Sequence, residues 1–249
     1  MGNLTDRTFW KSYWDSKKNL IADVTKNNYF EKLYHETFGQ YSNAIKSSIE
    51  LGGFPGYQSI FLKKKYDFDT ALFDFYIDET LIENLLIANR LPENSIQIIE
   101  GDLFNYSPNT LYDLVFSIGL VEHFENTEEI IGIHKKYISN EGTLLVIIPN
   151  FKGINGWVQK TFDKSNYDKH YIPCMERSVL HDAAEKNNFK EIKTYYYGKY
   201  SVWLEDVDNK SFLSKVIVKL MWFAGKVFFK LFPFDSKQFS PYIVLVAKC

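Results

Sequence analysis

The 249-residue chain is 45% hydrophobic and 17% aromatic and carries a formal net charge of −2. This is ample apolar material for a buried core, at a length near the upper size of one domain, and the charge balance excludes the strongly basic footprint of a general nucleic-acid binder. The two cysteines, Cys174 and Cys249, lie far apart and form no CxxC pair, which excludes a disulfide framework and a structural zinc site.

A cytoplasmic location is expected, because "MGNLTDRTFWKSYWDSKKNL" has no apolar signal segment and Asp6 stands where a myristoylation signal wants Ser or Thr. From Thr8 to about Lys46 aromatic residues recur at three- and four-residue intervals, predicting two or three short helices. A strand follows at "SSIEL", then the turn "GGFPG" and a helix "YQSIFLKKKYD". "TALFDFY" reads as a second strand and "IDETLIENLLIAN" as a helix with Asp78 as its cap. "SIQIIEGD", "LYDLVFSIG" and "EGTLLVIIP" predict three more strands, with the helix "ENTEEIIGIHKKYI" between the last two. Such alternation predicts a parallel sheet with helices on both faces, since parallel neighbours need crossover connections.

After Pro149 the chain is expected to run through a long loop or short helices to Pro173, a helix "ERSVLHDAAEKNN", a strand "FKEIKTYYYGKYSVWL" and a final strand "SPYIVLVAKC". Within "FLSKVIVKLMWFAGKVFFKLFPF" the side chains of Lys215, Lys219, Lys226 and Lys230 fall in an arc of about 60° at about 100° per residue. A basic amphipathic helix over 211–232 is expected there, packed on the domain, on a second copy in a homodimer, or in a membrane interface at the inner face.

Open parallel sheets bind ligands outside the carboxyl ends of their strands. At those ends stand Glu50 with Gly52 and Gly53, then Asp74, 22 residues after Gly52, and then Asp102 in "EGDLF". A carboxylate at the second position can accept from both ribose hydroxyls, and one at the third from an adenine amino group. The phosphate fingerprint GxGxxG does not occur, because Gly52, Gly53 and Gly56 have the wrong spacing, which disfavours a nicotinamide cofactor.

In "IELGGFPG", "LFDFY", "IEGDLF" and "YDLVFSIGLVEHF", taken in order, the chain resembles the class I S-adenosylmethionine-dependent methyltransferases, closely over residues 46 to 150 and by topology beyond. The resemblance implies a Rossmann-like α/β fold, a mostly parallel seven-stranded sheet with an antiparallel C-terminal strand, in one domain of 249 residues. Its parts would be a helical cap (1–45), a cofactor-binding core (46–150), an acceptor-side segment (151–203), an amphipathic helical insertion (204–240) and the final strand (241–249). It implies S-adenosyl-L-methionine as cofactor. Glu50 would orient the turn, Gly52 and Gly53 would lie beside the methionine moiety, and Asp74 would hold the ribose with Phe75 against the adenine. Asp102 and Leu103 would meet the adenine edge, and the backbone of Ser117 and Ile118 the methionine end. The family's ExGxGxG has glycine where Phe54 stands, with Gly53 one position earlier.

Transfer to a hydroxyl needs a base, and His123 in "GLVEHF" and His170 in "YDKHYIP" are the candidates. His35, His134 and His181 sit in helical segments and are expected to be surface or packing residues. "VEHF" also resembles the end of an ExxEH magnesium motif. Gly119 occupies its first position, so only Glu122 and His123 of the set remain and metal independence is expected. Trp10, Tyr13, Trp14, Trp157, Tyr167 and Trp203 are candidate pocket aromatics. The segment "IPNFKGINGWVQKTFDKSNYDKHYI", residues 148–172, is similar to segments of bacterial methyltransferases of surface-polysaccharide and secondary-metabolite pathways. A sugar or nucleotide-sugar acceptor is therefore expected. A lipid-linked acceptor and a catalytically silent interaction subunit are the alternatives.

Overall fold

The computed structural model describes residues 5–38 and 45–249. The helical stretch expected to run to about Lys46 lies in part, over residues 39–44, outside the described residues. Two helices come first, α1 (Arg7–Ser16) and α2 (Glu31–Thr37). Then β1 (Ser47–Leu51), α3 (Tyr57–Tyr66), β2 (Asp69–Asp74), α4 (Glu79–Ala88), β3 (Ile96–Glu100), β4 (Tyr112–Ile118), α5 (Thr127–Lys135) and β5 (Ile138–Pro149) alternate as the sequence predicts. The remainder is α6 (Ile154–Phe162), α7 (Lys164–Tyr167), α8 (Arg177–Lys186), β6 (Lys190–Tyr197), α9 (Phe212–Leu231) and β7 (Tyr242–Lys248).

The strands form one seven-stranded sheet in the order β3-β2-β1-β4-β5-β7-β6, and β7 runs antiparallel to both its neighbours. Alternate residues of each strand feed opposite layers, as a period of two requires. Phe73, Val115, Leu144 and Val146 pack on one side with Ile130 and Ile131 of α5 and Leu180 and Ala184 of α8. Leu72, Leu114, Phe116 and Leu145 pack on the other with Ile60 and Phe61 of α3 and Ile82 and Leu85 of α4. Each fully buried aliphatic or aromatic side chain contributes roughly 1.5–3 kcal/mol relative to exposure, so both layers are well secured. Asp78 caps α4 by accepting from the Leu81 amide, at 3.2 Å, as expected.

The last strand before α9 is shorter than the sequence suggests. β6 ends at Tyr197, opposite Tyr242, and Gly198 at φ +100° turns the chain away. Among the described residues it has only β7 as a partner and so cannot continue past the start of β7. The freed segment packs Tyr200, Val202 and Leu204 with Val158 of α6 and Val218 and Phe229 of α9. This small third cluster is what seats α9.

Candidate active site

The strand order reverses between β1 and β4, and outside their carboxyl ends lies a cleft of about 430 Å³. That size and position suit a small-molecule site at the switch point of an open α/β sheet. Glu50, Gly52, Gly53, Asp74, Phe75, Asp102, Leu103, Ile118, His123 and His170 all line it. Ser117 does not. Its side chain is fully buried, and its hydroxyl donates to Nε2 of His134 at 2.9 Å, while His134 Nδ1–H donates to the Ile130 carbonyl. Ser117 thus ties β4 to α5, and the packing role expected for His134 holds.

The glycine turn is built around a buried carboxyl. Glu50 accepts from the amide and hydroxyl of Ser59, at 2.9 and 2.6 Å, so the end of β1 is pinned to the first turns of α3. Gly52 adopts φ +67°, a conformation L side chains resist. Gly53 is required for another reason, because a Cβ there would stand 2.3 Å from the Glu50 side chain. Gly53→Ala is expected to cost about 1–3 kcal/mol of stability, the usual penalty of overpacking, and to weaken S-adenosylhomocysteine binding in calorimetry. Thermal unfolding checks the first effect.

Asp74 closes the turn from the β2 side. It accepts from the Phe54 amide at 2.9 Å and the Tyr76 amide at 3.1 Å. Thus the amide of Phe54, where the family has glycine, faces the Asp74 carboxylate. Burial raises the Asp74 carboxyl to about 6, against the pull of those amides, and burial raises Glu50 to about 8. Asp102 accepts from the Phe104 amide and the Asn105 side chain, at 3.0 and 2.7 Å. A carboxylate has about four lone-pair sites, so Asp74 and Asp102 each retain capacity for a ligand.

A roof of aromatic rings covers the cleft. Phe9, Trp10, Tyr13 and Trp14 of α1 line it together with Phe151 and Trp203. Trp157, 54% exposed, and Tyr167, stacked on Phe151, stand outside the lining, as does all of α9. None of the α1 residues is fully buried, and polar ties hold the helix in place. Arg7 bonds the Phe75 carbonyl, at 3.1 Å, and pairs with Glu100, while Tyr13 and Lys17 reach Glu205, each at 3.2 Å.

Glu205 and Asp206 also line the cleft, and sequence reasoning missed them. Gly198, placed shortly after an aromatic run, was the available sign that the strand stops and the chain turns inward.

His123 and His170 sit side by side, with ring centroids 4.9 Å apart, and Trp10 stands edge-on to His123 at 5.1 Å. Nδ1 of His123 meets the Lys169 carbonyl at 3.1 Å, and Nδ1 of His170 meets the Asn166 carbonyl at 2.7 Å. A carbonyl can only accept, so both rings carry their proton on Nδ1 and leave a lone pair on Nε2. Burial, and then the neighbouring His170, lowers His123 to about 3, and burial lowers His170 as well. Glu122 directly precedes His123 on a short 3-10 turn, 1% exposed.

No protein-family model matches the chain, and no curated protein matches it in sequence. Solved structures do match. Along 98% of this chain and 100% of the other, it superposes on a SAM-dependent methyltransferase from Archaeoglobus fulgidus, with a TM-score of 0.56 and 14% identity. Its fold is that of the class I methyltransferases. The same methyltransferase fold is seen in a putative sarcosine dimethylglycine methyltransferase from Galdieria sulphuraria, at TM-score 0.57 and 11% identity over 97% of each chain. Phosphoethanolamine N-methyltransferase 2 of Haemonchus contortus, solved with S-adenosyl-L-methionine, gives TM-score 0.55 at 11% identity over 94% of this chain. The chain spans only 60% of that protein's length. The expected Rossmann-like architecture, its seven strands and its antiparallel β7 therefore stand.

Proposed function

We propose that the protein is an S-adenosylmethionine-dependent methyltransferase acting on a hydroxyl of a sugar, free or nucleotide-linked, such as surface-polysaccharide assembly consumes. The observation that carries this reading is a single cleft into which the glycine turn, Asp74, Asp102 and two imidazoles all open. The residues fit the cofactor. Asp74 retains sites for the ribose hydroxyls, Phe75 and Leu103 offer apolar faces to the adenine, and Asp102 retains a site for its amino group. Gly52 and Gly53 bring bare backbone to the methionine end, with Ile118 opposite and Glu50 fixing the turn through Ser59. When bound, the cofactor supplies a methyl group on a cationic sulfur that leaves as a neutral thioether.

The chain's own contribution is positioning and exclusion of water, and holding reacting atoms about 3–3.5 Å apart supplies much of the rate. Transfer to a hydroxyl would require the acceptor to lose its proton. His123 and His170, on the wall of the cleft, would offer Nε2 lone pairs to take it. Aromatic rings of Trp10, Tyr13 and Trp203 beside the carboxylates of Glu205 and Asp206 suit the apolar faces and hydroxyls of a sugar. The test is incubation with S-adenosylmethionine and nucleotide sugars, read by mass. Gain of one methylene by a sugar supports the reading. Gain by another acceptor only would remove its sugar part. Failure to bind S-adenosylhomocysteine in calorimetry would instead favour a silent interaction subunit.

A second reading, an acceptor met at an anionic membrane surface, is favoured by α9. Only Val218 and Phe229 of this helix are buried. At about 100° per residue, the exposed Val216, Leu220, Phe223, Val227 and Leu231 lie within an arc of about 80°, on the side of the helix away from those two and next to the four lysines. An apolar stripe flanked by cations is the pattern of interfacial helices. No helix among the described residues is long and apolar enough to cross a membrane. The wild-type chain is expected to sediment with anionic vesicles at low salt, and replacing Lys215, Lys219, Lys226 and Lys230 with glutamate should abolish this. Absence of wild-type binding would end the second reading.

A further inference from the structure

We propose that Glu122, His123 and His170 form a binding site for one divalent first-row transition cation on the wall of the cleft. The one-carboxylate, two-imidazole group would hold the acceptor oxygen as a further ligand. This rests on the methyltransferase reading and changes what the two imidazoles do in it.

Three observations converge. One ligand atom from each residue lies within 4.8 Å of the others. Nε2 of each histidine carries a lone pair, because each Nδ1–H is spent on a backbone carbonyl, the arrangement that orients imidazole ligands in metal sites. Oε2 of Glu122 is buried with no hydrogen-bond partner among the described residues, which is costly for a carboxyl group unless a cation meets it. Three ligand atoms about 2.1 Å from a common ion stand about 3.0–3.6 Å from one another, so closure from the outer limit of 4.8 Å needs side-chain movements of up to about 1 Å.

The donor set selects the ion. Mg²⁺ and Ca²⁺ prefer oxygen, whereas two imidazoles with one carboxylate suit the series from Mn²⁺ to Zn²⁺. Metal independence was expected because Gly119 breaks the sequence motif after only two ligands. The fold supplies the third from 47 residues further on, where the turn after α7 swings His170 against His123. Gly119 also leaves the room beside Glu122, since even a Cβ there would meet Oε1 only at 3.5 Å. A cation so held would lower the pKa of a coordinated acceptor hydroxyl. Its O–H proton would pass to solvent, and the oxygen would form the new bond to carbon while the carbon–sulfur bond breaks.

The experiment is titration of chelator-treated full-length protein with Co²⁺, followed by its visible absorption, alongside calorimetry with S-adenosylhomocysteine. One saturable Co²⁺ per chain is expected. H170A and E122Q should each weaken it at least tenfold while S-adenosylhomocysteine affinity stays within about twofold, which shows the variants folded. His181, Asp182 and Glu185 form a second, exposed group, and the H181A/D182N/E185Q variant should retain the tight site. Co²⁺ uptake that vanishes with this surface variant, or that H170A and E122Q leave unchanged, overturns the proposal. So does the absence of saturable uptake in wild type that still binds S-adenosylhomocysteine. Loss of S-adenosylhomocysteine binding in the wild type would instead sink the methyltransferase reading.

Discussion

Asp74→Ala is expected to weaken S-adenosylhomocysteine binding by about one to two orders of magnitude. Hydrogen bonds to a charged acceptor are worth roughly 1.5–3 kcal/mol, and each 1.4 kcal/mol is tenfold in affinity. Two effects would act together. The variant takes the carboxylate from the ribose, and it also strips the Phe54 and Tyr76 amides of their partner, at 2.9 and 3.1 Å, loosening the glycine turn. An analogue lacking a ribose hydroxyl separates the two. It should bind the wild type more weakly than S-adenosylhomocysteine does, but should bind Asp74→Ala about equally, because the hydroxyl no longer has a charged acceptor there. Asp74→Asn keeps one oxygen and should fall between. Calorimetry belongs well above the carboxyl's raised pKa of about 6, where Asp74 is ionised. Equal affinity of wild type and Asp74→Ala would remove Asp74 from the site and, with it, the main support for the cofactor assignment.

How far the sequence reaches depends on whether a property is local. The alternation of short apolar runs with amphipathic helices is local, and it is enough for a parallel sheet, since crossover geometry follows from chain direction. Residues at strand ends are legible for the same reason: Glu50, Asp74 and Asp102 stand at successive carboxyl ends, and the sheet gathers them. The side chain of Ser117 is not legible in that way. It lies one residue before the end of β4, and whether its hydroxyl serves the cleft or the helix behind depends on His134 rising from α5 to meet it.

His170 and His123 illustrate a longer reach, since their pairing depends on α6 and α7 folding back over the sheet. In α9, spacing predicted the lysine stripe, but the helical period alone gives no reason for Val218 and Phe229 to be the seated pair. Tyr200, released where β6 stops, packs with both, its ring stacked on that of Phe229.

Glu50→Gln is expected to flatten the loss of stability that the metal-free protein shows as pH rises. Burial raises the Glu50 carboxyl from 4.5 to about 8, with Asp74 adding repulsion and Ser59 opposing through its amide and hydroxyl. The buried phenol of Tyr34, itself raised, is coupled to the same carboxyl. The folded state therefore holds the Glu50 proton more tightly than the unfolded chain. Between about pH 4.5 and about 8 the folded protein binds more protons, so unfolding free energy falls with pH. The contribution is complete below the unfolded value and lost as pH passes the folded one. At about 1.4 kcal/mol per pKa unit, the loss is on the order of several kcal/mol. Asp74 and Glu122 are shifted in the same direction, so the slope in Glu50→Gln should shrink and not vanish. Glutamine can still accept from Ser59, and the turn should keep its shape. Denaturant titrations across this range test the point. Parallel wild-type and variant slopes would mean that Glu50 is ionised within the fold, and the glycine turn would then enclose a charge that no cation among the described residues pairs.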